Sequence, residues 1–249
     1  MDDPFYSILK EKAVKTAKKI GPPSFYKKHK EELDNSLSLL SHSKTLRKCR
    51  SYIDESKLHP AHGLQHCEKV AVEAGAILHI EAANKGFGSL TEELMLCVQI
   101  AGLLHDIKRN ENNHPLAGSI EDERVLHDFD LEGRYKRYIT EAIRNHEAFK
   151  EVLSSEDNEA KLISDSLYDA DKFRWGPDNF TITLWLLIEA SGTPAKILYS
   201  SFLEKMEGIK RIKHTFRTAT GRTYGPEFID FGIEIGNELY REMEYTIGN

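Results

Sequence analysis

Three histidines in this sequence fall in register with apolar residues at helical spacing. His66 shares a face with Val70, Ala74 and Ile77, His105 with Leu94, Val98 and Ala101, and His146 with Ile139, Ala142 and Ile143. Each imidazole is therefore expected to point inward from its helix. One inward histidine is ordinarily a hydrogen-bonded core residue. Three that converge on one core ask for more, because Asp106 follows His105 directly and a carboxylate at the edge of a buried face needs a cation or hydrogen-bond donors. A metal ion meets these demands together. A fourth ligand is expected from the segment Tyr168-Asp-Ala-Asp-Lys172. Ile163, Leu167 and Asp171 are spaced by four and share a face, whereas Asp169 lies about 200° around the helix from Asp171. Asp171 is the candidate ligand; Asp169 is expected to be a solvent-facing charge, or a partner behind a ligating histidine.

The elements that must position these residues read as helices from end to end, since apolar residues recur at three and four and few stretches alternate with period two. The class is all-α, with sheet minor or absent. Up to about residue 56, two or three helices interrupted at Gly21-Pro22-Pro23 suggest a helical cap, because a helix interior does not accept that tripeptide. Core helices are expected at about 62–83, from Ser89 or Thr91 to about Lys108, from Pro115 to about Phe129, and at 134–146 and 158–173. Three more follow at 179–190, 194–212 and 227–245, with 217–225 as a loop. No linker divides the 249 residues, so the expectation is one helical domain, 1–249, with its core at about 59–176 and helical additions at 1–58 and 177–249.

Composition narrows the function classes. The three cysteines, Cys49, Cys67 and Cys97, have neither CxxC spacing nor the density of a disulfide framework, which points to a reducing compartment and away from a thiolate zinc site. The start of the chain is Lys-rich without an apolar core of signal-peptide type. The longest apolar stretch, roughly 180–190, is about half a membrane span. A cytoplasmic protein without a membrane partner is expected. A net charge of −6 gives no overall attraction to nucleic acid, and the basic runs 10–30 and 210–222 read as solvated helix faces.

The residues now match a known pattern. His62-Gly-Leu-Gln-His66 followed by Val70-Ala71, then Ala101-Gly-Leu-Leu-His-Asp-Ile107, Ala142-Ile-Arg-Asn-His146 and Asp169-Ala-Asp-Lys172 resemble, in order, four blocks of the HD superfamily of metal-dependent phosphohydrolases. The resemblance covers about 59–176. An isolated His-Asp pair carries no such weight: His127-Asp128 lacks the apolar lead-in and is expected at an exposed helix end.

The resemblance implies an HD-domain helical bundle with a divalent metal ion held by His66, His105, Asp106 and Asp171, and hydrolysis of a phosphate ester or anhydride. The substrate would be a small phosphorylated molecule such as a nucleotide or metabolite. The ion would lower the pKa of a bound water toward ~7 and polarise the phosphoryl oxygen, with Asp106 placed to take up the proton. Imidazole-rich ligation favours Mn, Fe, Co, Ni or Zn, and the carboxylates leave Mg open. His62 resembles a histidine that donates a proton to the leaving oxygen. His114 and His146 resemble positions that bind a second metal in some members and contact the substrate phosphate in others. Lys172, and Lys108 or Arg109 after the doublet, are the expected phosphate cations. Arg217 and Arg222 are left outside the site. Two other readings use the same residues: an HD-type di-iron oxygenase with His66, His105, Asp106, His114, His146 and Asp171 as six ligands, and a non-catalytic metal- or nucleotide-binding module.

Overall fold

The helical periodicity is realised through most of the described residues. The computed structural model describes residues 3–153 and 157–247, and among these it has twelve α-helices and no strand. Helices α1 (Pro4–Ile20), α2 (Ser24–Lys28), α3 (Lys30–His42) and α4 (Lys44–Ser51) lead to a short 3-10 turn at Pro60–His62. Then come α5 (Leu64–Lys85), α6 (Thr91–Leu104), α7 (His114–His127), α8 (Gly133–Arg144) and α9 (Asn158–Phe173). A π-turn, Asn179–Thr183, opens the last part, α10 (Leu184–Ser191), α11 (Ala195–Ile212) and α12 (Ala219–Ile247). No helix among the described residues is long and apolar enough to cross a membrane.

The apolar stripes read from the sequence build the core. Val70, Ala74, Ile77, Val98, Ala101, Ile139, Ile143, Ile163 and Leu167 are all buried, with α5 packed on α6 and α9, and α8 on α6, α7 and α9. The α5–α6 crossing is close because Gly102 has no side chain: a Cβ there would lie 2.6 Å from Ala71 Cα. The N-terminal segment forms four helices, one or two more than expected, and they reach different partners: α1 lies along α12, α3 on α5 and α4 on α6.

Several boundaries differ from expectation, and three of the differences matter here. Helix α6 stops at Leu104, not near Lys108. The His105 ring caps its last turn through Nδ1, 2.8 Å from Gly102 O, and the chain continues in tight turns such as Ile107 N to Leu104 O at 3.1 Å. Helix α5 begins at Leu64, so His62 closes the preceding 3-10 turn and is not the first residue of the helix. The expected loop 217–225 is mostly the first turns of α12, despite Pro226 inside the helix, a placement that costs about 3 kcal/mol in a regular helix. Two buried carboxylates explain why the helix forms there. Asp169 accepts from Arg217 N, Thr218 N and Thr218 Oγ1, each at 2.8 Å, and Glu81 accepts from Thr220 N at 2.7 Å and Thr220 Oγ1 at 2.8 Å. Backbone donors at the start of α12 are thus satisfied by negative charge, which the helix dipole favours. Asp169 is therefore fully buried and corrects the expectation of a solvent-facing charge.

Candidate metal centre

The site gathers helix ends. His66 is in the first turn of α5, His105 caps α6, Asp106 follows it, His114 opens α7, His146 lies two residues past α8, and Asp171 is in the last turn of α9. Helix ends are where backbone groups are left unpaired, and two of these carry the histidines. His105 Nδ1 donates to Gly102 O at 2.8 Å and His146 Nδ1 to Ile143 O at 2.6 Å. A carbonyl can only accept, so in its neutral form each ring carries its proton on Nδ1 and aims an Nε2 lone pair into the site.

Those lone pairs meet other acceptors. His105 Nε2 is 3.3 Å from His66 Nε2, 3.4 Å from Asp106 Oδ2 and 3.8 Å from Asp171 Oδ1. His66 Nε2 is 3.5 Å from Asp171 Oδ1 and 3.7 Å from Asp106 Oδ2. On the other side of Asp106, Oδ1 lies 3.5 Å from His146 Nε2 and 3.7 Å from His114 Nε2, and those two nitrogens are 3.2 Å apart. Ligand atoms about 2.1 Å from a shared ion lie roughly 3.0–3.5 Å from one another, and the observed spacings approach that edge. His66, His105 and Asp171 form one group able to hold a metal ion, Asp106, His114 and His146 a second, and His62, His66 and Asp106 a third. Asp106 Oδ1 is buried and finds no hydrogen-bond partner among the described residues. A buried anion with an empty acceptor and lone pairs facing lone pairs is a donor set that fits a cation.

The protonation states differ among the histidines. Burial lowers His66 to about 4, and burial with the Arg109 charge lowers His114 to about 3, so both imidazoles are neutral at neutral pH. Burial opposes a charge on His105, but Asp106 and Asp171 outweigh it and raise that ring. Burial by itself would raise both carboxyls. The charge of His105 holds Asp106, and that of Lys172 holds Asp171, well below the usual carboxylate range.

The neighbours take different roles. His62 Nδ1 is 2.7 Å from Asp106 Oδ2. Arg109 turns inward, its Nη1 2.6 Å from His114 Nε2 and 3.7 Å from Asp106 Oδ1. Lys172 faces the ligands from behind: it is buried, donates to Asp171 Oδ2 and to His146 O at 2.9 Å, and lies over the Tyr168 ring. Lys108 is paired with Glu111 at 3.2 Å and Glu121 at 3.6 Å. Of the three expected phosphate cations, Arg109 alone borders the open cavity of about 500 Å³ that His62, His66 and Asp171 also line. Arg217, left outside the site, stacks on Tyr168 with its guanidinium carbon 3.5 Å from the ring centre. His127 and Asp128 are exposed.

Sequence reasoning missed His59 and Trp175, which also border the cavity, and the wall contributed by α11. His59 carries no apolar register because it caps the 3-10 turn, accepting from Ala61 N at 3.2 Å. The α11 residues Leu198, Phe202 and Met206 recur at helical spacing, a pattern indistinguishable in sequence from an ordinary core stripe. Comparison with family models, with curated proteins and with solved structures returns no match.

Proposed function

We propose that this chain is a metal-dependent phosphohydrolase of the HD type, with one ion held by His66, His105, Asp106 and Asp171 and a place for a second at Asp106, His114 and His146. The observation that carries the reading is the two-sided environment of Asp106: Oδ2 faces His62, His66 and His105, while Oδ1 faces His114 and His146. A carboxylate whose two oxygens each face imidazole nitrogens could serve two ions, and paired ions would stabilise the attacking and leaving oxygens of a phosphoryl displacement.

When bound, the metal supplies a water acidic enough to ionise near neutral pH and a Lewis acid for the phosphoryl oxygen. The chain's own residues supply the rest. Arg109, beside the centre and bordering the cavity, holds the phosphate. Asp106 Oδ2 receives the proton of the attacking water, and His62, paired to that oxygen through Nδ1, delivers a proton to the leaving oxygen. One O–P bond forms, the ester O–P bond breaks, and the alcohol leaves with the proton. Lys172 fixes Asp171 and the His146 turn, so it acts as a positioning residue.

The test is metal analysis of the purified protein, then a phosphatase screen with that metal restored. His105→Ala and Asp171→Ala are expected to lose metal and activity together; unchanged metal content in either variant sinks the assignment. A second reading, an HD-type di-iron oxygenase, draws support from the same six residues, Asp106 and the five gathered about it. Two irons per chain with oxygen consumption and no phosphate release would favour it.

A further inference from the structure

The cavity that opens from the centre has two unlike ends. At its floor are His62, His66, Asp171 and Arg109, a surface of imidazole, carboxylate and guanidinium that suits a phosphate next to metal. Its walls come from the residues after α9, the π-turn, α10 and α11, through Trp175, Phe180, Leu187, Phe202 and Met206. Phe180, Phe202 and Met206 are buried, while Leu187, 39% exposed, carries the apolar lining to solvent. Arg174 borders the same space, but its charge is paired with Glu73 and Asp178, with Tyr26 also bound to the guanidinium. Asn179, Thr183, His59 and the Trp175 indole N–H are further polar groups of the lining, and Lys205 is an exposed lining residue.

From this we infer that the alcohol half of the substrate is an apolar chain: the site takes a phosphate monoester of a long-chain alcohol. The inference rests on the phosphohydrolase reading for the head group and on the cavity alone for the tail. A sugar and a base would bring several hydroxyl and amide groups against these walls, and each one buried without a partner costs about 1–3 kcal/mol. An alkyl chain has no such groups and gains from every methylene that leaves water. A volume of about 500 Å³ lies within the range of small-molecule sites and leaves room beyond a phosphate for a chain of several carbons.

The experiment uses the full chain with its metal restored and n-alkyl phosphates from ethyl to decyl, below their micelle concentrations, beside nucleoside 5′-monophosphates. Alkylphosphonates of the same lengths, measured by calorimetry, read binding without turnover. The expected result is a rise of about fourfold per added methylene in both kcat/KM and phosphonate affinity, levelling once the cavity is filled. Leu187→Lys, at a half-exposed position where folding tolerates charge, is expected to flatten that slope. Phosphate release that is independent of chain length, or faster from nucleoside monophosphates than from octyl phosphate, overturns the inference and leaves the phosphohydrolase reading standing. Affinity that climbs with chain length in a protein that hydrolyses no ester overturns the phosphohydrolase reading and keeps the apolar-chain site.

Discussion

His105 Nε2 stands 3.3 Å from His66 Nε2, and the His105 ring is held in that pose by Nδ1 on Gly102 O. The cap that ends α6 thus also directs the Nε2 of a candidate ligand. With Asp106 and Asp171 beside them, these nitrogens surround a point where positive charge is stabilising, and binding there stabilises the folded state in proportion to occupancy.

Adding the cognate divalent ion to chelator-treated protein is therefore expected to raise Tm, by the equivalent of about 2.7 kcal/mol at a hundredfold excess over Kd. His105→Ala should abolish that rise. Calorimetry with and without metal checks it, and an equal rise in the variant would place the ion elsewhere.

Arg109 brings its charge to His114 Nε2 and toward Asp106 Oδ1, where a second ion would otherwise sit. Arg109→Ala is expected to increase occupancy of the second position at a given metal concentration while leaving the first filled. Titration followed by metal analysis reads the stoichiometry directly; identical curves for both proteins would show that Arg109 does not compete.

Asp122 on α7 is fully buried and neither carboxylate oxygen has a hydrogen-bond partner among the described residues. Burial, with Glu121 adding to it, holds this carboxyl well above its ordinary range. The unfolded chain releases the proton near pH 4 while the folded chain keeps it, so stability falls as pH rises from about 4 toward the folded pKa. Asp122→Asn removes that loss. The variant should match the parent at pH 4 and gain up to about 1.4 kcal/mol per pH unit above it. Denaturant melts at pH 4 and pH 7 decide, and a gain of equal size at both would refute the linkage.

Arg174 is buried among Glu73, Tyr26 and Asp178, and Lys69 lies 2.7 Å from Asp178. This network joins α2, α5 and the end of α9. Removing one partner of a buried ion pair leaves a charge without compensation, so Arg174→Met should cost about 3–5 kcal/mol. Arg174→Met combined with Glu73→Gln should recover part of that loss, as chemical denaturation of both variants can measure.

Asp169→Ala leaves Arg217 N and Thr218 N without their acceptor. A loss of roughly 2–4 kcal/mol is expected, together with faster hydrogen exchange at the start of α12. Undiminished protection of the Thr218 amide would show that α12 is fixed by other contacts.

Much of the fold was legible because one periodicity runs through the chain. The bounds of α9 are those read from the sequence, and the inward stripes of α5, α6 and α8 predicted a shared core. The turn 217–220 was not legible, since Gly221 and Pro226 argue locally for a loop and the carboxylates that order it, Glu81 and Asp169, are far away in the chain. A Cβ at Gly221 would lie 2.0 Å from Asp169 Oδ2; in sequence that glycine signals only a break.

For the site, the sequence by itself determined the inward faces of the helices that carry His66 and Asp171 and of those that lead into His105 and His146 just past the ends of α6 and α8, because a helix fixes direction every 3.6 residues. What lies off the helices had no such guide. Only the tertiary structure decided that His62 meets Asp106, that His114 and His146 share its other oxygen, that Lys172 turns to the ligands while Arg109 turns to the cavity, and that α11 walls that cavity. Each of these depends on how helix ends meet across the bundle, and such meetings are set by packing between distant segments, about which local spacing carries no information.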